Sequence, residues 1–187
     1  QTVVTRDEVG RRQKVTFDNF GRAFKSQILQ IQTKTETMNG NGDPYSTNVT
    51  TYNTLDQLEN SKLYAGSAIA DGSCPISTNN GNGCQLSTIE YDGFGRTWKS
   101  HDPEQDANKF TEYDYFADDT TQSVTDARGA VTSFSYNQNK MITQISYVTS
   151  GSIPAITVPN TFQYDAVGNR IQMNDEKGQS NYSYDLL

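Results

Sequence analysis

Acids, two cysteines and one histidine are the side chains here that could do chemistry. Two carboxyl groups suffice for glycoside hydrolysis, and Asp118-Asp119 is an adjacent pair. A solvated turn accounts for that pair more simply, because most acids of this chain stand at turn positions. His101, the single histidine, lies directly before the turn residue Asp102 and reads as a surface strand residue. No serine sits in a Gly-x-Ser-x-Gly elbow, no phosphate-binding loop is present, and neither cysteine has a histidine nearby in sequence. No catalytic residue is assigned, and the chain is not expected to be an enzyme.

Metal chemistry fares no better. Asn39, Asn41 and Asp43 alternate as in the first half of a calcium loop, but Pro44 stands where that loop needs glycine. No bidentate acid follows at the right distance, so a solvated loop is the reading. Cys74 and Cys84 bracket the stretch PISTNNGNG, with no further ligands for zinc. No metal and no cofactor are expected. A disulfide between Cys74 and Cys84 would contribute about 2–3 kcal/mol on the chain-entropy model and would imply an oxidising compartment. The alternative is two free thiols in a cytosolic protein. Asn48-Val49-Thr50 and Asn181-Tyr182-Ser183 are glycosylation sequons that matter only in a glycosylating host.

The acids belong to a refrain. Asp–x–x–Gly occurs as Asp7–Gly10, Asp18–Gly21, Asp92–Gly95, Asp126–Gly129, Asp165–Gly168 and Asp175–Gly178. Asp102-Pro103-Glu104-Gln105 is a weaker copy with glutamine last. Aspartate suits the first place of a tight turn because its carboxylate can accept backbone N–H bonds two residues on, and glycine suits the last because it accepts positive φ. Aromatic pairs at i, i+2 recur in step: Val15/Phe17, Thr50/Tyr52, Ile89/Tyr91, Tyr113/Tyr115, Phe134/Tyr136, Phe162/Tyr164 and Tyr182/Tyr184. That spacing puts both members on one face of a strand. Steps of 10 or 11 residues between neighbouring turn aspartates leave about 20 Å of strand between turns. Glycine, asparagine, aspartate and threonine recur too often for helices. A lone hairpin is marginal in water, so the hairpins must stack. After the turn glycines, Phe24, Trp98 and Ile171 hold the third place, and Lys25, Lys99 and Gln172, one residue later, are expected to face solvent or a hydrated interior.

Tyr91-Asp92-Gly93-Phe94-Gly95-Arg96 resembles the signature of the YD-repeat, or RHS-repeat, family. Phe17-Asp18-Asn19-Phe20-Gly21-Arg22 is a close variant, and Tyr164-Asp165-Ala166-Val167-Gly168-Asn169-Arg170 shifts the arginine by one. Val124 to Gly129 followed by Ser133 to Tyr136 resembles a second half-repeat. The resemblance covers roughly residues 1–32, 48–63 and 86–187. It implies a spiral of β-hairpins forming the wall of a hollow shell, as in bacterial polymorphic toxins, insecticidal toxin complexes and teneurin-like proteins. In the toxins such a shell encloses an effector domain. The family's self-cleaving core segment has no counterpart here. Tyr52-Asn53-Thr54-Leu55-Asp56, Tyr115-Phe116 and Tyr136-Asn137 depart from the pattern, and their turns are expected to be looser or differently shaped.

A hydrophobic content of 33% is low for a globular domain, yet 11% aromatics, with Tyr at eleven positions, rule out a disordered composition. A net charge of -7 without a basic stripe argues against nucleic acid. No apolar run long enough for a helical span exists, so membrane insertion is not expected. No signal peptide is visible, and the opening at Gln1 and the stop at YSYDLL read as a piece of something longer. The expectation is therefore an all-β array of stacked antiparallel hairpins over 1–187, with insertions near 33–47, 64–87 and 148–160. Its work would be structural, in a secreted or surface protein, building a shell or fibre. Its partners would be neighbouring repeats, by self-association or in a longer chain, and an enclosed toxin domain. The alternative is an adhesion module whose exposed tyrosines and Trp98 bind a surface glycan or a protein.

Overall fold

A computed structural model describes residues 1–7, 11–29, 44–65, 74, 84–149 and 158–185. Among them are fourteen β-strands and no helix. The strands are β1 Thr2–Arg6, β2 Arg12–Phe17, β3 Ala23–Leu29, β4 Pro44–Tyr52, β5 Leu58–Ala65, β6 Cys84–Tyr91 and β7 Thr97–His101. They continue as β8 Thr111–Tyr115, β9 Thr121–Thr125, β10 Val131–Tyr136, β11 Ile142–Val148, β12 Asn160–Tyr164, β13 Arg170–Asp175 and β14 Gly178–Asn181. They form one open sheet in chain order. That order follows from turn signals at short intervals, since antiparallel neighbours can be joined by tight hairpins whereas parallel ones need long crossovers.

Two compact units are present, residues 1–95 with 100–108, and residues 96–99 with 109–187. In the first, β1 to β6 pair consecutively, all antiparallel. In the second, β8 to β14 do the same. Strands enter the margins of the stretches expected as insertions near 33–47 and 64–87. β4 begins at Pro44, β5 runs to Ala65 and β6 begins at Cys84, so ladder hydrogen bonds claim residues at both margins. The possible calcium ligands Asn39, Asn41 and Asp43 lie outside the described residues, as does Gly10.

Burial is sparse and concentrated. Among the described residues, Leu29, Tyr64, Cys74 and Cys84 are buried hydrophobics, joined by Arg12, Thr47 and His101. Register explains the grouping. Arg12 stands opposite Leu29 and Leu29 opposite Pro44, while Gln27, Thr47, Tyr64 and Cys84 form a second cross-strand row. Directly paired residues share a face, so each row packs as a unit. Cys74 is bonded to Cys84 at a Cα separation of 5.8 Å, and Val49 and Leu86 pack against this cluster. Full burial of a side chain the size of Tyr64 is worth about 2–3 kcal/mol. His101 is not a surface residue: it is only 1% exposed, with Nε2 3.3 Å from the Asp106 carbonyl oxygen. The turn after His101 folds back onto the ring, which neighbouring sequence alone does not reveal.

Candidate functional site

Six turns of five residues recur along the chain: 18–22, 53–57, 92–96, 116–120, 137–141 and 165–169. Each follows an even-numbered strand, so within each unit these turns line one edge of the sheet. The backbone carbonyl of their first residue accepts an N–H bond from the fourth, at 3.0–3.2 Å in all six. The fourth residue has positive φ in all six: Gly21 83°, Asp56 63°, Gly95 82°, Asp119 69°, Lys140 58° and Gly168 93°. The turns without glycine are therefore not looser or differently shaped. Aspartate enters the left-handed region at modest cost because it is short and polar, and the lysine is drawn there by a contact described below.

The first residue does the work expected of a turn acid. Asp18 Oδ1 accepts from Phe20 N and Arg22 N, and Asp165 Oδ1 from Val167 N and Asn169 N. Asn53 and Asn137 accept the same two bonds through Oδ1. Phe116 cannot, and Asp118 substitutes by accepting from Thr120 N at 3.1 Å and Thr120 Oγ1 at 2.7 Å.

The repeated tyrosines have a role that spacing did not disclose. Each donates its hydroxyl to the carbonyl of the first strand residue after the preceding turn. Tyr52 bonds Ala23 O, Tyr91 bonds Leu58 O, and Tyr115 bonds Thr97 O. Tyr136 bonds Thr121 O, Tyr164 bonds Ile142 O and Tyr184 bonds Arg170 O, all within 2.7–3.0 Å across the series. Phe17, without a hydroxyl, makes no such bond. Each link ties one hairpin to the one before it and is worth about 1 kcal/mol net. The sequence offset from tyrosine to acceptor varies from 14 to 33 residues, so spacing carried no signal of the link.

Charge reinforces the seam. Arg22 Nε lies 2.7 Å from Asp18 Oδ2, and its guanidinium also pairs with Asp56 and sits 4.8 Å over the Tyr52 ring. Arg96 repeats this, 2.7 Å from Asp119 and 4.4 Å over Tyr115. Thus Asp56 and Asp119, which replace glycine, receive the arginine of the preceding hairpin. Lys140 donates to the Asp118 carbonyl at 2.6 Å, and Gln57 Nε2 donates to the Gly95 carbonyl at 2.7 Å. Exposed pairs of this kind contribute 0–1 kcal/mol each, so the arginine's stacked, two-acid geometry matters more for alignment than for energy.

The opposite edge of each unit is less uniform. Asp126–Gly129 repeats the same turn, with Gly129 at φ 85° and Asp126 Oδ1 accepting from Arg128 N and Ala130 N. Asp7 accepts from Arg11 N and Arg11 Nε, both at 2.7 Å. Asp102 bonds to Gln105 through the backbone, and Gln105 is not among the positive-φ residues. Asp175–Gly178 is a different turn: the two residues are paired across the strands with only Glu176 and Lys177 between them. The expected faces after the turns are also corrected. Trp98 is 45% exposed while the Lys99 side chain is 20% exposed, held 3.2 Å from Glu112 and 4.0 Å over the Phe110 ring. Ile171 is the extra residue of a register shift opposite Gln163/Tyr164. Such shifts break the strict alternation on which the facing was read.

Electrostatics single out the turn acids. At Asp18 burial pushes the carboxyl up, but N–H bonds from Arg22 and Phe20 and the guanidinium outweigh it, leaving the carboxyl below its ordinary value. At Asp165 burial is likewise outweighed, by the Asn169 and Val167 bonds. Asp126 is lowered chiefly by Arg128. A depressed carboxyl stabilises the fold fully above its unfolded value, near pH 4, and that contribution is lost as pH falls through the folded value. Stability should therefore decline below about pH 4. Asp165→Asn keeps the Oδ1 acceptor that Asn53 and Asn137 already use, so it should leave the unfolding midpoint at neutral pH nearly unchanged and flatten the acid decline. Urea unfolding at about pH 7 and about pH 3 measures both; an unaltered acid slope would refute the assignment.

No protein-family model matches this chain, and no curated protein matches it. Among solved structures it is similar to a crystal structure of TcdB2-TccC3-TEV, with 13% identity over 98% of this chain and 12% of that one, at a TM-score of 0.40. A TcdB2-TccC3-Cdc42 crystal structure gives 14% identity over 93% and 11%, at 0.37. A Photorhabdus luminescens Tc holotoxin pore gives 12% identity over 93% and 11%, at 0.36. The chain thus spans about an eighth or less of the length of these structures.

Proposed function

We propose that this chain is a structural module of the YD-repeat kind, whose work is to extend a β-sheet wall hairpin by hairpin within a shell or fibre. The observation that carries the reading is the repeated tyrosine link, made six times with the same donor and the same acceptor position. Side chains at the turns are committed to joining neighbours, and the acids are occupied as turn acceptors, which supports a non-catalytic role. Stability in such an array is a sum over hairpins and their nearest neighbours. The Cys74–Cys84 disulfide supports an oxidising, extracellular setting. A toxin domain enclosed by the wall is the partner this reading implies, beside further repeats.

In this chain β1 and β14 each have one neighbour in the sheet, and an open strand edge is a template for pairing. The chain at micromolar concentration should sediment as concentration-dependent ordered assemblies, with the outward-facing N–H groups of Thr2–Arg6 and Gly178–Asn181, those not bonded to β2 or β13, protected from exchange only in the assembled fraction. A monomer that protects both edges would overturn the wall reading.

A further inference from the structure

We infer that the groove between the turns at 116–120 and 137–141 is a binding site for the apolar face of a neutral pyranose sugar. The groove is open and encloses about 510 Å³, with Phe116, Asp118, Thr120, Ser135, Tyr136 and Asn137 along its walls. That volume lies in the range of small-molecule sites.

The argument begins with a misplaced residue. The first place of this turn carries aspartate or asparagine in the other five copies, because the backbone N–H groups ahead need an acceptor. Phe116 supplies none, and Asp118 has to accept the Thr120 N–H instead. Departures from a local rule that are repaired nearby are where function is to be sought. What the exchange provides is an aromatic ring at the groove, 38% exposed. Tyr136 supports it edge to face at 6.3 Å and 89°. The Tyr136 hydroxyl is itself fixed to the Thr121 carbonyl at 2.9 Å, so the ring rests on an anchored neighbour.

The polar rim fits hydroxyl groups. Asn137 Oδ1 is taken by Asn139 N and Met141 N, which orients the amide and leaves its NH₂ as the group available to a ligand. Asp118 is an acceptor, its carboxyl lowered chiefly by the Thr120 hydroxyl, and Ser135 can donate or accept. Lys140 Nζ stands 3.8 Å from Asp118 Oδ2, so the rim's charge is balanced and an uncharged ligand is favoured. The C–H face of a pyranose matches the negative face of an aromatic ring, and its hydroxyls match a rim of mixed donors and acceptors. This site is independent of the wall reading: a wall with or without it would assemble alike.

Saturation-transfer NMR observes the ligand and so tolerates assembly of the protein. The probes are the methyl glycosides of glucose, galactose, mannose and N-acetylglucosamine, with N-acetylphenylalanine amide beside them. At least one glycoside should receive saturation at its ring C–H protons, in wild type and in Trp98→Ala alike. Phe116→Asp restores the turn's usual first residue, so it should unfold no earlier than wild type and bind that glycoside at least tenfold more weakly. Asn137→Asp keeps the turn acceptor but loses the amide donor, and should weaken binding as well. Saturation of no glycoside, of the phenylalanine amide alone, or of glycosides undiminished in both groove variants would overturn the site. So would loss of the signal in Trp98→Ala.

Discussion

Replacing both Cys74 and Cys84 with alanine should lower the unfolding free energy by about 3 kcal/mol. The bond closes a separation of 10 residues, for which the chain-entropy model alone gives about 2–3 kcal/mol. Its two ends are buried at 8% and 4% exposure beside Tyr64, which is 2% exposed. Truncating the sulfurs adds a packing loss in a unit that has few other buried apolar groups. The damage should be local in origin, with amide exchange accelerating first at Tyr64 and Leu86, beside the lost bond. Denaturant unfolding and exchange of the oxidised protein and the double variant test this. Equal midpoints would show that the cluster stands without the covalent link.

Valine at position 95 should cost more than about 2 kcal/mol, from strain and a disturbed hydrogen bond together. Gly95 sits at φ 82°, where a β-branched residue is a genuine outlier. A Cβ there would also meet Gln57 Nε2 at 3.1 Å, the atom that donates to the Gly95 carbonyl. Gly21 separates the two effects, because it has φ 83° and nothing within 4 Å of a Cβ. Gly21→Ala should therefore cost about 1 kcal/mol, the left-handed penalty alone, and Gly95→Ala more. Gly95→Asn should be the mildest change at that position, since Asp56, Asp119 and Lys140 already hold this place without glycine. Equal losses for the two alanine variants would show that the Gln57 contact contributes nothing.

The all-β meander was legible in the sequence because its determinants are local. An acid that accepts N–H bonds two and four residues ahead, and a residue that tolerates positive φ three places on, need nothing beyond their own five residues, and this holds at Asp18, Asp126 and Asp165 alike. Strand length between turns followed from the same punctuation. The congruence of the turns at Asn53, Phe116 and Asn137 was not legible, because it depends on neighbours: Arg22 on Asp56, Arg96 on Asp119, Lys140 on Asp118. The tyrosine hydroxyl links join residues 14 to 33 apart, and a pattern of types cannot say which carbonyl a hydroxyl reaches. Register shifts opposite Tyr52, Tyr115, Tyr136 and Tyr164 add one residue to the returning strand and defeat strict alternation, so the facing of Ile171 and Gln172 does not follow from counting along the strand. The burial of His101 likewise came from a turn folding back on it. Local chemistry thus determined where the chain turns, and only pairing between hairpins decided which way its side chains face and what they hold.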